Sequence, residues 1–359
     1  MTSTRTDLPE IGIRKNITMK DVALRAGVHL SSVSVVLNGS RSSAGISSQT
    51  RERIVEAAAE LGYRRNGSAH TIRTGRFGNV AVLLSPLRSR SYLPLPLLAG
   101  FHDALDQLNM TLTFCLLGDE KLTESGTIPK FLRERMCDGL LIDYNSHIPQ
   151  SMIESIQRHQ IPAVWINSIQ EADCVHPNDL EAAQRATNHL IQLGHRRIAY
   201  VDFANSSETP HYSAHDRCAG YAQTMQSAGL EPHIWNLKLA GNNPAAFCER
   251  MLASHDRPTA VIGYAIYAIE GLTYAAARLG LSVPEDLSLV SFGPEQIDYL
   301  CRSMTVLIEP QYEIGQLATQ MLMRKIETPD EAIAPQAVRF DLAVGESSAL
   351  LPRQGETSI

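Results

Sequence analysis

The sequence predicts a small all-α head followed by an α/β body that contains two doubly wound parallel-sheet subdomains. Helical segments separated by a glycine turn occupy residues 17–62. From residue 77 to about residue 350, short apolar runs alternate with helical segments. Continuous apolar strands joined by helices are typical of parallel sheets that are covered on both faces. More than six strand–helix units along about 270 residues predict two such sheets rather than one.

Charge is divided between the same two regions. The 359-residue chain has a net charge of −6, but residues 1–76 contain 12 Lys and Arg against 6 Asp and Glu. By difference from the totals of 32 and 38, the remaining residues contain 20 basic and 32 acidic side chains. A basic head on an acidic body suits a protein that touches nucleic-acid phosphates at one end only. An unevenly charged solvated surface would give the same numbers, so charge alone leaves both interpretations open.

The composition is that of a globular chain without a membrane segment. Hydrophobic residues make up 44% and charged residues 19% of the sequence. No run approaches the roughly 18 consecutive apolar residues of a membrane span, and the first residues contain no apolar export signal. We therefore expect a cytoplasmic protein that does not bind a membrane.

The sequence also lacks the usual signatures of cofactors and catalysis. The six cysteines form no CxxC pair, which predicts free thiols and no metal site. No GxGxxG follows the first strand and no GxxxxGK[ST] is present, so we expect neither a nucleotide cofactor nor an enzyme of the usual nucleotide-binding kinds. No Ser-His-Asp order or paired-acid motif stands out. A solute-binding receptor is a further alternative, which the missing export signal and the basic head oppose.

Start and stop signals divide the head into three helices. Thr18 is a good cap for a helix that begins at Met19, with Asp21 placed to complete a capping box, and Gly27 ends that helix. A second helix is predicted from Leu30 to Leu37 before the Asn38-Gly39 stop, and a third begins after Ser47 and ends at Gly62. Two helices joined by a short glycine turn form a helix-turn-helix motif, whose second helix fits the major groove of DNA. A three-helix bundle that merely packs is the alternative.

The body is predicted from its alternating pattern. Strands are predicted at Val80–Leu84, Leu112–Leu116, Leu140–Ile142, Ala163–Ile166, Ile198–Val201, Ala260–Ile262 and Leu287–Ser291. Helices are predicted at Leu97–Leu108, Met152–Arg158, Leu180–Leu193, Arg217–Ala228, Pro244–Ser254 and Tyr267–Leu279.

Several segments of the head and body resemble the lactose-repressor-like (LacI/GalR) family, and the resemblance extends to about residue 325. Those in the head are ITMKDVA from Ile17, AGV from Ala26, SVS from Ser32, VLNG from Val36, TRERI from Thr50 and AAELGYR from Ala58. Those in the body are HLIQLGHRRIA from His189, RPTA from Arg257, LGL from Leu279, VPEDLS from Val283 and the segment from Gln311 to Leu322.

This resemblance implies a sequence-specific transcriptional regulator, a repressor, that binds a pseudo-palindromic double-stranded DNA operator as a homodimer and responds to a small-molecule effector. It implies a periplasmic-binding-protein-like body whose two lobes are linked by crossings near Asn178, Glu309 and residue 335. Residues 340–359 show no leucine heptads, so a dimer is expected rather than a tetramer. The expected divisions are 1–16 (flexible segment), 17–65 (helix-turn-helix), 66–76 (hinge), 77–350 (body, with 77–177 and 309–335 in one lobe and 178–308 and 336–350 in the other) and 351–359 (tail).

The second helix departs from the family at the positions that read DNA. The resemblance places these positions at Leu30, Ser31 and Val35, and relatives commonly have arginine or histidine at the last. Val35 can only make apolar contacts, for instance with a thymine methyl group. His29 stands where relatives have a capping serine, so we expect an atypical operator. The candidate DNA-binding residues are Thr18, His29, Leu30, Ser31, Ser32, Ser34, Val35, Asn38, Arg64, Asn66, Ala69, Ile72 and Arg73.

Residues 66–76 correspond to the family's hinge helix, which folds on DNA and inserts an apolar side chain into the minor groove. Ile72 occupies that position, and such a wedge kinks the duplex. Asn66 could cap this helix, with Ala69 and Ile72 on one face, although the isolated stretch is too short to stay helical in water. A plain basic linker is the alternative.

Arg217 matches the family's main effector-binding arginine, three residues before Gly220. Its fork could clamp a carboxylate, a phosphate or sugar hydroxyls, whereas the alternative is a surface arginine paired with an acid such as Asp216. Three acidic positions of relatives are replaced by Tyr264-Ala265, Gly293-Pro294 and Asn167, which argues against an ordinary sugar and favours an anion. The candidate effector-binding residues are Arg217, Asn167, Tyr264, Phe292 and Tyr92. A non-functional pocket, with control by a protein partner or by abundance, remains open.

Overall fold

The computed structural model divides the chain into two compact units, Met1–Gly75 and Arg76–Ile359, the head and the body. The residues that the structure describes are 17–37, 45–64, 75–87, 90–118, 136–146, 148–202, 210–236, 240, 243–296, 298–299 and 302–351.

The head contains the three predicted helices. The Thr18 side chain accepts a hydrogen bond from the Asp21 backbone amide, and the Asp21 carboxylate accepts one from the Thr18 amide, so the capping box is complete. Gly27 ends the first helix in the left-handed region, at φ +63°, where a side chain would be strained. Val22, Val33 and Ile54, one from each helix, form the buried centre of the head core. The helices are α1 Met19–Ala26, α2 Leu30–Leu37 and α3 Ser48–Glu60.

The body is built on two six-stranded sheets. The strands are β1 Asn79–Leu84, β2 Thr111–Leu116, β3 Gly139–Asp143, β4 Ala163–Ile166, β5 Cys174–Pro177, β6 Ile198–Asp202, β7 His233–Asn236, β8 Ala260–Gly263, β9 Ser288–Gly293, β10 Asp298–Tyr299, β11 Arg302–Ser303, β12 Thr305–Ile308, β13 Gln336–Val338 and β14 Asp341–Ala343. The first sheet has the order β13-β5-β4-β3-β1-β2 and is parallel throughout; the second has the order β14-β12-β9-β8-β6-β7, in which only β14 runs antiparallel. Apolar side chains cover both faces of each sheet, as expected for parallel sheets flanked by helices.

Helices flank the sheets on both sides. We call the unit around the first sheet lobe 1 and the unit around the second sheet lobe 2. The helices are α4 Leu95–Gln107, α5 Gln150–Arg158, α6 Asp179–Gln192, α7 Tyr212–Ser227, α8 Pro244–Leu252, α9 Ile266–Arg278 and α10 Gln311–Glu327. No described helix is both long enough and apolar enough to cross a membrane.

The chain passes between the lobes three times, after β5 at residue 178, after β12 at residues 309–310, and between β13 and β14 at residues 339–340. The first two crossings lie at Asn178 and Glu309, as expected. The expected division between residues 335 and 336 was wrong, because Gln336–Val338 pairs in parallel with β5 of lobe 1.

One glycine decides how closely two helices of lobe 2 approach. A Cβ at Gly220 in α7 would overlap the carbonyl oxygen of Leu180 in α6. With hydrogen in its place, the two helix backbones pack directly against each other. This close approach brings the first turn of α6, which carries Asp179, against the middle of α7, which carries Arg217.

Candidate functional site

In the head, α2 presents a partly exposed outer face. Leu30 and Ser31 are exposed, and Val35 is half-buried, whereas Val33 faces the core. His29 takes over the capping role, because its Nδ1 accepts a hydrogen bond from the Ser31 amide and lies 2.8 Å from the Ser31 hydroxyl. Ser31 is thereby oriented at the start of the helix that is expected to read DNA.

The other candidate DNA-binding residues divide into two groups. Thr18 and Arg64 are exposed, and Ser32 and Ser34 are half-buried. The remaining ones, Asn38, Asn66, Ala69, Ile72 and Arg73, lie outside the described residues.

In the body, all five candidate effector residues line one cavity of about 440 Å³. Tyr92 and Asn167 belong to lobe 1, and Arg217, Tyr264 and Phe292 belong to lobe 2. Most of these residues follow or end parallel strands, which is where doubly wound sheets bind ligands. The structure thus brings together residues that are up to 200 positions apart in the sequence.

Arg217 lies at the lobe 2 side of this cavity and is only 4% exposed. Its Nε donates to Asp179 Oδ1 over 2.6 Å, and one Nη donates to Glu309 Oε1 over 2.9 Å. The other Nη donates to the carbonyl oxygen of Tyr264 over 2.7 Å. The guanidinium carbon lies 4.3 Å from the centre of the Phe292 ring, a distance that permits a cation–π contact.

These contacts exclude one alternative for Arg217 and contradict one expectation. The alternative was a surface arginine paired with Asp216, and Arg217 is buried. It is not free of competing acids, because Asp179 and Glu309 both hold it. Burial raises the pKa of the Asp179 carboxyl, and the neighbouring guanidinium opposes that rise. The expected preference for an anion therefore loses its physical basis.

Residues from all three crossings converge on this guanidinium. Asp179 directly follows the first crossing, and Glu309 lies in the second. Phe340 lies in the third, with its ring centre 5.6 Å from the guanidinium carbon. Sequence reasoning named the first two crossing points but did not predict that Asp179 or Glu309 contacts Arg217. The only sequence feature that could have indicated these contacts was an acidic side chain at each position where the chain changes lobe.

His211 connects the two lobes beside the cavity. Its Nε2 donates to the carbonyl oxygen of Asn167 over 2.8 Å, so Nδ1 is left to accept from the Ser213 amide at the start of α7. Burial lowers the pKa of His211, which favours this neutral form. Asn167 has a φ of +52°, a left-handed conformation that asparagine tolerates better than most residues.

Two polar groups on the lobe 1 side were missed by sequence reasoning. Asn145 lines the cavity, and its buried Oδ1 has no hydrogen-bond partner among the described residues. Asp143, at the end of β3 and two residues before Asn145, is 0% exposed and lies behind the residues that line the cavity. Burial raises the pKa of its carboxyl well above the usual value, and a hydrogen bond from the Tyr92 backbone amide opposes this rise. The only sequence feature that could have drawn attention to Asp143 was its position at the end of an apolar strand.

Comparisons with known proteins agree with both units. The family "Bacterial regulatory proteins, lacI family" matches residues 18–66, and "Periplasmic binding protein-like domain" matches residues 187–348. The maltose regulon regulatory protein MalI of Escherichia coli (strain K12) is 31% identical over 331 residues, which cover 87% of this chain and 93% of that protein. This chain belongs to the lacI family. The predicted family and fold class are therefore confirmed.

Two further comparisons describe this lacI-family chain along its length. The HTH-type transcriptional repressor CytR of Escherichia coli (strain K12) is 27% identical over 349 residues, 93% of this chain and 97% of that protein. The crystal structure of the lac repressor dimer bound to operator and the anti-inducer ONPF has a TM-score of 0.73 at 22% identity, covering 93% of this chain and all of that one. At that identity the likeness shows the fold.

Proposed function

We propose that this lacI-family regulator is a homodimeric repressor whose affinity for a pseudo-palindromic DNA operator depends on a small molecule bound between the lobes of its body. The observation that carries the proposal is the cavity between the lobes, which is lined by residues of both lobes and by Glu309 of the second crossing. A ligand that contacts both lobes favours one lobe arrangement over another, and such differential binding is what shifts an equilibrium.

The head supports the DNA-binding part of this proposal. The exposed Leu30 and Ser31 at the start of α2, together with Val35 one turn later, offer one hydroxyl and two apolar side chains to a groove. Such a surface suits thymine methyl groups more than guanine edges. The wedge role of Ile72 is part of the same proposal.

The edge of the first sheet supports the dimer. Strand β2 is the outermost strand, and its Phe114 and Leu116 are 44% and 61% exposed. An apolar edge strand left open to water favours association. We propose that this edge contributes to the surface shared by two copies, and Phe114→Lys should then raise the dimer dissociation constant in sedimentation experiments.

Selection of the purified protein on random duplex DNA tests the function directly. The expected result is enrichment of a pseudo-palindrome with a deformable central step, bound with a steep dependence on salt. Val35→Ala should then change the preferred bases, whereas the matched control Val55→Ala, an exposed valine of α3, should not. Absence of any enriched sequence would contradict operator binding.

Ligand dependence needs a separate measurement on the same protein. Operator affinity is measured with and without each compound that raises the unfolding temperature. A compound that stabilises the protein without changing operator affinity would contradict effector control, and would favour regulation by a partner or by abundance.

A further inference from the structure

Lobe 1 contains a second cavity, of about 640 Å³, that shares no lining residue with the interlobe cavity. Ala163 and Trp165 of β4 line it from the sheet, and the turn at residues 170–173 before β5 lines it from the side. Lys325 at the end of α10 and residues 329–330 complete the lining. This second cavity therefore lies entirely within one lobe.

Helix α5 forms another side of the second cavity with a polar stripe. Its Met152 and Ile156 pack onto the sheet in the same cluster as Trp165, so the sheet-facing side of the helix is apolar. Residues at a spacing of three or four lie on one side of a helix, and Gln150, Ile153 and Gln157 all line the cavity. With the two residues that follow the helix and the turn before β5, this gives four glutamine amides around the cavity, at positions 150, 157, 160 and 170.

Trp165 provides both an aromatic surface and a hydrogen-bond donor. The residue is only 7% exposed and lines the second cavity. Its indole N–H donates to none of the residues that the structure describes, although the N–H of a buried tryptophan usually finds an acceptor. The ring face of an indole also attracts cations more strongly than other aromatic rings do.

The charge of Lys325 is already compensated. Its Nζ lies 2.9 Å from Asp173 Oδ2, and it also donates to the carbonyl oxygen of Glu331. The other carboxylate oxygen of Asp173 accepts from the Ile333 amide over 2.9 Å. Lys325 is the one basic side chain among the described residues that line the second cavity. The lining therefore has no positive charge left for an anionic ligand.

Two further acids leave the second cavity negative. Glu171 and Asp330 line it, are exposed, and form no ion pair with any described residue. Asp330 Oδ1 accepts a hydrogen bond from Gln160 over 2.7 Å, which orients its carboxylate. One lysine against the three acids at positions 171, 173 and 330 gives the lining a net charge of −2.

From these observations we infer that the second cavity binds a small organic amine. Its ammonium group donates to Glu171, Asp330 and the glutamine oxygens, which are acceptors of the kind that three N–H donors require. Its apolar or aromatic body lies on Trp165, and a hydroxyl or carbonyl oxygen of the ligand accepts from the indole N–H. A volume of about 640 Å³ lies within the range of small-molecule sites. The inference is independent of the proposed function, because the second cavity is separate from the one between the lobes.

The test uses the full-length protein and two sets of probes that differ mainly in charge. Tyramine, tyrosol and para-hydroxyphenylacetate share a phenol and are a cation, a neutral molecule and an anion. Unbranched aminopentanol, pentanediol and hydroxypentanoate form the same series on an alkyl chain. In calorimetric titrations at low salt, at least one amine should bind about tenfold more tightly than its neutral counterpart, and added salt should weaken the amine selectively.

Two outcomes of these titrations would overturn the inference. One is that neither amine binds in the millimolar range. The other is that a neutral or anionic probe binds as tightly as the amine of its set, because the charge of the lining would then not select the ligand.

Tryptophan fluorescence locates the bound amine. The chain contains two tryptophans, and the other, Trp235, belongs to β7 of lobe 2. In Trp235→Phe the emission of Trp165 should change on titration with aminopentanol, with the affinity measured by calorimetry. In Trp165→Phe the emission change should disappear and the amine should bind more weakly. Amine binding that leaves the emission of Trp165 unchanged would place the ligand elsewhere and contradict the inference.

The two unpaired acids are tested by neutral variants of similar shape. Glu171→Gln and Asp330→Asn should each lower the affinity for the amine about threefold and leave the neutral probe unaffected. Asparagine at position 330 still offers an oxygen to Gln160. Glu154→Gln, at an exposed acid of α5 that does not line the second cavity, is the matched control and should change neither affinity. Wild-type affinity for the amine in the Glu171→Gln, Asp330→Asn double variant would overturn the assignment of these acids.

Discussion

The two sides of the interlobe cavity differ in how their buried charged groups are paired. On the lobe 2 side, Arg217 has Asp179, Glu309 and the Tyr264 carbonyl as partners. On the lobe 1 side, Asp143 is fully buried without an ion-pair partner among the described residues, and the Tyr92 backbone amide is the group that favours its charged form. An ion pair offsets the cost of burying a charge, whereas a buried carboxyl without one costs stability when it is ionised. Residues on the two sides should therefore respond oppositely to mutation.

The largest effect is expected for Arg217→Leu on the lobe 2 side. The change leaves the buried Asp179 without its ion-pair partner, and breaking a buried pair in this way costs about 3–5 kcal/mol of unfolding free energy. Urea denaturation measures this loss. Arg278→Leu removes the surface pair with Glu249 and should cost about 1 kcal/mol or less. Similar losses in the two variants would mean that the Arg217 network is not structural.

A smaller loss is expected for Gly220→Ala, which leaves every charge in place. The new methyl group overlaps the Leu180 carbonyl, so α7 has to move away from α6 and carry Arg217 with it. Overpacking of this kind typically costs about 1–3 kcal/mol. In the control Gly271→Ala the nearest atom is the Cys248 sulfur at 3.8 Å, and the helix should gain up to about 1 kcal/mol. An unchanged free energy of unfolding in Gly220→Ala would show that the spacing between α6 and α7 can adjust.

On the lobe 1 side, Asp143→Asn should leave the unfolding temperature unchanged or raise it. Because burial raises the pKa of Asp143 in the folded state, the wild type loses stability as pH rises from the ordinary carboxyl value through the raised one. The difference between variant and wild type should therefore be larger at pH 7 than at pH 4. Asp256→Asn, at an exposed position, is the control. A lower unfolding temperature for Asp143→Asn would show that the Asp143 carboxyl stabilises the fold.

The smallest effect concerns His211, which links the two sides. Its pKa is lowered by burial, so the unfolded chain binds the proton more strongly and stability falls as pH decreases below about 6.5. His211→Asn should reduce this slope but not abolish it, because burial also lowers the pKa of His189 and His195. His215→Asn, on the exposed side of the same helix, should leave the slope unchanged. Thermal melts at intervals between pH 5 and 7.5 measure this slope for the wild type and for both variants.

The sequence predicted elements that are determined by local pattern. All seven predicted strands form, because each contains a run of apolar residues long enough to be recognised by itself. The strands Cys174–Pro177, His233–Asn236 and Gln336–Val338 were missed, since they contain only three or four residues, some of them polar, and are stabilised by pairing with neighbouring strands. Thr305–Ile308 and Asp341–Ala343 were missed for the same reason.

The candidate site likewise has a part that could be predicted from the sequence and a part that could not. The five candidate residues could be placed by resemblance and by their positions after strands, and they do line one cavity. The ion pairs of Arg217 join residues that are 38 and 92 positions apart, and nothing local in the sequence encodes such distances. For that reason sequence reasoning did not foresee that two acids compete for Arg217, although both lie next to predicted crossings.

The convergence of the three crossings on Arg217 has a mechanical consequence. Segments that join two lobes act as the pivot about which the lobes turn, and here one side chain fastens all three segments at the boundary of the cavity. If the cavity binds an effector, as proposed, a molecule that competes for an N–H group of Arg217 changes the stiffness of that pivot directly. Effector binding and lobe angle are then coupled through the same atoms, and no relay of side chains is needed to carry the signal between them.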